Sequence, residues 1–243
     1  MESHKEALRS TLSSLGLAED TAPDLAQRSG KAAERLRRTL PYRESRRVLV
    51  SLDRALVQVR LNVLSDRKKL VIPTRAMKDG FLTVDPEESI PPRKRLLAVQ
   101  PHPGNAFARK NRHDVPLEPP IDLIITGALA VGRDGTRLGD GQGHLDLQFA
   151  ILRELAWLHP QVQIMALVTE NQIHASLPIE AHDIGVQWIV TPDGTIPTSL
   201  SKPLSPGVIW ERLTQRQIKR NSALFYLRNR EWAERPQEKE TFS

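Results

Sequence analysis

Gly135-Thr136-Arg137-Leu138-Gly139-Asp140-Gly141-Gln142-Gly143-His144-Leu145-Asp146 lies between an apolar run from Ile121 to Ala130 and a helical pattern that begins near Asp146. A buried strand that feeds a glycine-rich loop, and a loop that feeds a helix, is a building unit of α/β folds. Glycine permits φ > 0 and lets backbone approach a ligand without a Cβ in the way. The loop also leads to a helix N-terminus, whose first N–H groups have no intrahelical partner and can point at an anion. Arg137 adds a guanidinium suited to phosphate oxygens. The stretch reads as a phosphate cradle.

Working outward, Ile121-Asp122-Leu123-Ile124-Ile125 is the strand that enters the loop. Asp146 to His159 is predicted helical, with Leu147, Ile151, Leu155 and Leu158 on one stripe and Pro160 ending it. Val162–Val168 and Val186–Val190 are predicted strands, the second followed by a Pro192-Asp193-Gly194 turn. Toward the N-terminus the pattern gives helices over 4–15 and 20–40, a strand at Arg47–Val50, a helix from Arg54 to Leu64 and a strand at Leu70–Pro73. The alternation predicts an α/β fold, an open, mostly parallel sheet flanked by helices in a Rossmann-like three-layer arrangement. Ligands in such sheets sit at the carboxyl ends of the strands, where the loop after Ile125 emerges. Residues 85–120 are proline-rich and basic, and are expected to be mostly loop with a short strand at Leu96–Val99.

The 243 residues suit one well-buried domain, assigned to 1–214, with 215–243 as a basic polar extension whose end is expected to be disordered. No apolar run approaches the ~18–20 residues that span a bilayer. Met1-Glu2-Ser3-His4-Lys5 lacks the apolar core of a signal peptide, so no membrane association and a cytoplasmic location are expected. The absence of cysteine excludes a disulfide framework and thiolate chemistry. A net charge of +6 favours acidic partners. The basic clusters (Arg35-Arg37-Arg38, Arg46-Arg47, Arg67-Lys68-Lys69) are short and carry no interleaved aromatics, so a small molecule is expected and nucleic acid is not. A monomer is expected.

The central stretch, G-x-R-L-G-x-G-x-G-(x2)-D, resembles the signature of the 5-formyltetrahydrofolate cyclo-ligase (methenyltetrahydrofolate synthetase) family, which typically reads R-L-G-x-G-x-G-Y-Y-D. Lys5-Glu6-Ala7-Leu8-Arg9 resembles the K-x-x-L-R start of that family's first helix. Asp122-Leu123-Ile124-Ile125, Asp183 with Thr191-Pro192-Asp193-Gly194, and Pro206-Gly207-Val208-Ile209-Trp210-Glu211 resemble its later segments. Asp53, Leu56, Gln58-Val59-Arg60, Lys69-Leu70, Ile72-Pro73-Thr74 and Asp146-Leu147-Gln148-Phe149-Ala150 are most similar to a divergent cyclo-ligase-like branch.

The resemblance implies an ATP- and Mg²⁺-dependent reaction on 5-formyltetrahydrofolate or a related N-formyl or amide compound. It places Lys5, Arg9, Gly135, Arg137, Leu138, Gly139, Gly141, Gly143, His144 and Asp146 around the nucleotide, with Arg137 as catalytic cation and Asp146 as metal ligand. Aspartate is also a favoured helix N-cap, and both roles can coexist. Two departures stand out. His144 and Leu145 occupy the places of two tyrosines, and the family's glutamate before the central strand has no aligned counterpart, Glu118 being the nearest carboxylate. A second class of function, a module that kept the fold and nucleotide loop but only binds, therefore stands beside the enzyme.

Overall fold

The computed structural model describes residues 2–14, 25–88, 90–102, 104–141, 144–180, 182–200 and 206–234. In chain order the helices are α1 (Glu2–Ser14), α2 (Leu25–Arg37), α3 (Leu40–Glu44), α4 (Val57–Ser65), α5 (Arg95–Ala98), α6 (His144–Glu154), α7 (Gln215–Arg220) and α8 (Ser222–Glu234). The strands are β1 (Arg47–Val50), β2 (Lys69–Pro73), β3 (Phe81–Val84), β4 (Ala108–Lys110), β5 (Ile121–Thr126), β6 (Ala130–Gly132), β7 (Arg137–Leu138), β8 (Leu158–Leu167), β9 (Ile173–His174), β10 (Trp188–Val190) and β11 (Thr195–Pro197).

Among the described residues, eight strands form one sheet in the order β11-β10-β8-β5-β1-β2-β3-β4. The five central strands, β10 to β2, pair in parallel, and β11, β3 and β4 add antiparallel edges. Helices cover both faces, as the sequence pattern predicts. Alternation along each strand sorts side chains between two cores. Val48 and Val50 of β1, Leu70 and Ile72 of β2, and Leu123 and Ile125 of β5 face the core that holds Ala32, Ala33 and Leu36 of α2 and Val59 and Val63 of α4. Leu49, Val71 and Ile124 face the opposite core, with Phe149, Ile151 and Leu152 of α6 and Ala223, Leu224 and Leu227 of α8. Strands buried on both faces read as near-continuous apolar runs, which is why these short segments are legible in the sequence.

Several boundaries differ from the sequence-based expectation, each for a local reason. The predicted helix 146–159 begins at His144 and ends at Glu154. Ala156 adopts φ 55°, Ala156 N–H donates to Arg153 O (3.0 Å) and Trp157 N–H donates to Leu152 O (2.9 Å). This double bond pattern closes a helix C-terminus with a left-handed residue, a position usually held by glycine. Leu158 thus begins β8 instead of extending the helical stripe. The strand expected at Leu96–Val99 is helical, because Pro92 opens a 3₁₀ turn that runs into α5 and proline is well tolerated in a first helical turn. Strands β3 and β4 were not anticipated. Pro41, expected to stop helix 20–40, lies instead in the first turn of α3, which Thr39 caps; residues 20–24 lie outside the described residues.

Residues 215–234 form two helices. Ile218, Ala223, Leu224 and Leu227 join the same core as Trp157, so apolar spacing is present there beneath the basic surface. Residues 235–243 lie outside the described residues. No described helix is long and apolar enough to cross a membrane.

Because Ala156 carries a Cβ in left-handed backbone, Ala156→Gly is expected to raise the unfolding free energy by about 0.5–1 kcal/mol despite the looser unfolded chain. Urea unfolding of the two proteins measures this, and a lower midpoint in the glycine variant contradicts it.

Candidate functional site

The chain leaves β1 toward β2 on one side of the sheet and returns to β5 on the other, so the connections diverge above the β1–β5 pair. Such a reversal opens a crevice at the carboxyl ends of the strands. A cleft of about 710 Å³ lies there. It is lined by the loops after all five parallel strands: Ser51–Ala55 after β1, Thr74, Ala76 and Met77 after β2, Thr126–Leu129 after β5, Val168, Thr169 and Gln172 after β8, and Pro192 after β10.

The glycine stretch splits into two parts. Its first half is a β6–β7 hairpin, and Gly135 (φ 96°) forms the turn, where a Cβ would lie 2.6 Å from Val186 O. Gly135 does not line the cleft, and Leu138 is buried in a small core with Leu12 and Leu129. The second half does line it. Gly139 O accepts from Arg9 Nε (3.3 Å), and Gly141 (φ 90°) packs under the Arg9 side chain. Gly143 lies outside the described residues. The N-terminus of α6 opens onto the cleft with His144 as its first residue. The Asp140 carboxylate, 3.7 Å away, pushes the His144 imidazole above its ordinary pKa by hydrogen bonding.

Helix α1 crosses this end of the cleft. Lys5, only 3% exposed, is held by the Asp183 carboxylate and lies 3.4 Å from Glu180. Arg137, 7% exposed, places Nη2 at 3.3 Å from both Asp146 oxygens and donates Nε to Ile184 O. Asp146 also accepts from the Ile184 N–H at 2.8 Å. Asp146 is therefore no N-cap: it sits inside the first turn of α6, where a carboxylate is favoured by the helix dipole, and it ties the helix to the 183–184 segment. Lys5, Arg9, Arg137, Gly139, Gly141, His144 and Asp146 are thus brought together, with Asp183 and Glu180 among them.

The opposite wall was not assigned from sequence. Arg60, 2% exposed, donates from Nη1 to Ser51 O and to Asp53 O (3.4 Å), so a buried guanidinium shapes the loop that presents Asp53. Burial pushes the Arg60 pKa down to about 10, which leaves it cationic at neutral pH. A Cβ on Gly127 would stand 2.7 Å from Asp53 Oδ1, so glycine there makes room for the carboxylate. Beside it, Ala76 and Met77 adopt φ 50° and 54°. Two consecutive left-handed residues without glycine cost on the order of 1–3 kcal/mol each and mark a shape the surroundings impose. Asp53 and Pro73-Thr74 are visible in sequence only as pattern; the signal for their place is that each lies at or just beyond the carboxyl end of a parallel strand. Glu118 is not here. Its carbonyl accepts from Arg47 Nη2 (3.0 Å) at the amino end of β1, at the opposite end of the strands from the cleft. His182 lines the cleft beside Glu180, and no group of three or more potential metal-ligating side chains exists among the described residues.

The sequence profile of the 5-formyltetrahydrofolate cyclo-ligase family matches residues 1–192. The chain belongs to this family. Among relatives of this cyclo-ligase-family chain, a human methenyltetrahydrofolate synthase domain-containing protein is 27% identical over 197 residues, covering 78% of this chain and 50% of the relative. The chain thus spans about half the length of that relative. A 5-formyltetrahydrofolate cyclo-ligase of Mycolicibacterium smegmatis is 35% identical over 71 residues, 29% of this chain and 34% of that protein. In structure, the fold resembles the 5,10-methenyltetrahydrofolate synthetase of Aquifex aeolicus, with a TM-score of 0.56 at 18% identity, covering 83% of this chain and 96% of that one.

Lys5 carries two cleft carboxylates and anchors α1. Lys5→Ala is expected to cost about 3 kcal/mol, since removing one partner of a buried pair leaves uncompensated charge. Urea unfolding reads the loss, and faster proteolysis within α1 identifies its source; unchanged values in both contradict the anchoring role.

Proposed function

We propose that this chain is an ATP- and Mg²⁺-dependent cyclo-ligase acting in the cytoplasm on 5-formyltetrahydrofolate or a related N-formyl compound. The observation that supports this most is the convergence of Lys5, Arg9, Arg137, the Gly139–Gly141 backbone and the α6 N-terminus at one end of a single cleft. Cations, glycine backbone and a helix N-terminus together suit a polyphosphate. Phosphoryl transfer needs mainly positioning and charge neutralisation, which this end provides.

In the proposed reaction the formyl oxygen attacks the γ-phosphorus and the bond to the ADP oxygen breaks. N10 then attacks the formyl carbon, its proton is lost, and phosphate leaves with the former formyl oxygen. Arg137 neutralises charge on the transferred group and is itself oriented by Asp146 and the Ile184 carbonyl. Asp146 and Asp183 supply hard carboxylate oxygens at the same end and fit Mg²⁺, which commonly takes one or two carboxylates plus phosphate oxygens. Mg²⁺, when bound, would shield the phosphate charge. The second substrate would occupy the other half, between the Asp53 loop and the Ala76–Met77 wall.

One observation favours the binding-only alternative. Leu145 packs with Phe149 in the core, so no aromatic ring faces the cleft from that position.

Asp146→Ala and Arg137→Ala are each expected to abolish Mg·ATP binding in calorimetry; unchanged affinity in both contradicts the phosphate-cradle reading. Mixing wild-type protein with 5-formyltetrahydrofolate and Mg·ATP is expected to raise methenyl absorbance steadily, and Asp146→Ala to remove the signal. No product with Mg·ATP binding intact assigns the fold to another substrate or to binding alone.

A further inference from the structure

The family profile ends at residue 192, and α7 and α8 lie beyond it. Yet α8 packs behind both walls of the cleft. It packs on α6, whose N-terminus carries His144 and Asp146. At its own start, the Ser222 N–H donates to Lys78 O (3.3 Å), directly behind the left-handed Ala76–Met77 pair. The Ser222 hydroxyl lies 3.1 Å from His113 Nε2, and that imidazole stands against Gly80, where a Cβ would come within 2.7 Å of it. His113 stacks on Trp157, with ring centroids 6.1 Å apart, and lies tilted against Tyr226 of α8 at 5.7 Å. Asn221 fixes this start: its Oδ1 accepts from the Ala223 and Leu224 N–H groups, both at 3.1 Å. The segment 74–80 is closed on itself by Thr74, which bonds Gly80 O through both its N–H and its hydroxyl. Met77 belongs at once to the cleft lining and to the core that holds α8.

We propose that α8 is a positioning element for the second substrate: through Ser222 and the buried Met77 side chain it holds the wall that presents exposed Ala76, against which a flat heteroaromatic ring would lie. The inference rests on the functional reading above only for the identity of that ring; the brace itself does not depend on it.

Ser222→Pro tests it. Ser222 is the first residue of α8, where proline is tolerated, and Asn221 (φ −106°, ψ 111°) already has the extended backbone that a following proline requires. The variant loses the N–H to Lys78 and the hydroxyl to His113. With helical circular dichroism retained, amide exchange at residues 76–80 is expected to accelerate. KM for 5-formyltetrahydrofolate is expected to rise about ten-fold while KM for Mg·ATP stays within about two-fold. Met77→Ala is expected to show the same split and Met77→Leu to restore it. Asn221→Ala, which removes only the side-chain cap, is the second variant and is read in the same way. Unchanged exchange at 76–80, or equal rises in both KM values, overturns the proposal. If wild-type protein forms no methenyl product, the role of the wall toward that substrate falls with the functional reading, and the exchange rates alone decide the brace.

Discussion

The parallel pairing of β1 with β5, extended by the Ser51 N–H to Ile125 O bond (2.9 Å), is the constraint from which the cleft follows. These strands are consecutive neighbours in space but far apart in sequence, and their onward connections leave in opposite directions. Chain that diverges cannot fill the space above the strand ends, so a crevice forms there without any special residue to open it. The loops that carry Asp53, Thr74 and Gly127 have roots fixed in the buried sheet, whereas Lys5 and Arg9 come from α1 and His144 and Asp146 from α6. Asp53 and Gly127, one from each of the two strand ends, illustrate the economy of the arrangement: the carboxylate of one occupies the room that the missing Cβ of the other leaves.

The two halves of the cleft are stabilised differently. At the end closed by α1 and α6, cations and carboxylates neutralise one another across elements: Lys5 with Asp183, Arg137 with Asp146. Under the proposed function, a polyphosphate with its metal would take over partners that the carboxylates and cations now supply to each other. At the other end the shape is held by backbone. Buried Arg60 bonds the carbonyls of the Asp53 loop, and the left-handed Ala76–Met77 turn is kept by Thr74, Gly80 and the start of α8. A wall fixed by strained backbone resists adjustment. The departures from the family signature lie at the first of these ends, where His144 and Leu145 stand at the start of α6 in place of two tyrosines.

Much of this architecture is legible from the amino-acid order. The apolar runs at 47–50, 70–73 and 121–125 announce strands buried on both faces, and the glycine stretch announces backbone that must turn tightly. Other features are not legible because they depend on pairing partners. Gly135 and Gly139 look alike in sequence, yet one is a hairpin turn wedged against Val186 and the other supports Arg9 over the cleft. The short strands β3 and β4 exist through their neighbours, and the early end of α6 depends on a single left-handed alanine that no helical propensity foretells.

By itself the sequence determined the α/β class, the parallel centre of the sheet and the glycine-rich stretch that leads into a helix, because local periodicity and glycine spacing are encoded within a few positions of one another. Only the tertiary structure decided which carboxylates meet which cations, that Glu118 lies at the opposite end of the strands from the cleft, and that α8 stands behind Met77. Those relations join segments separated by many tens of residues, and the order of strands in a sheet, which creates them, leaves no local trace in the chain.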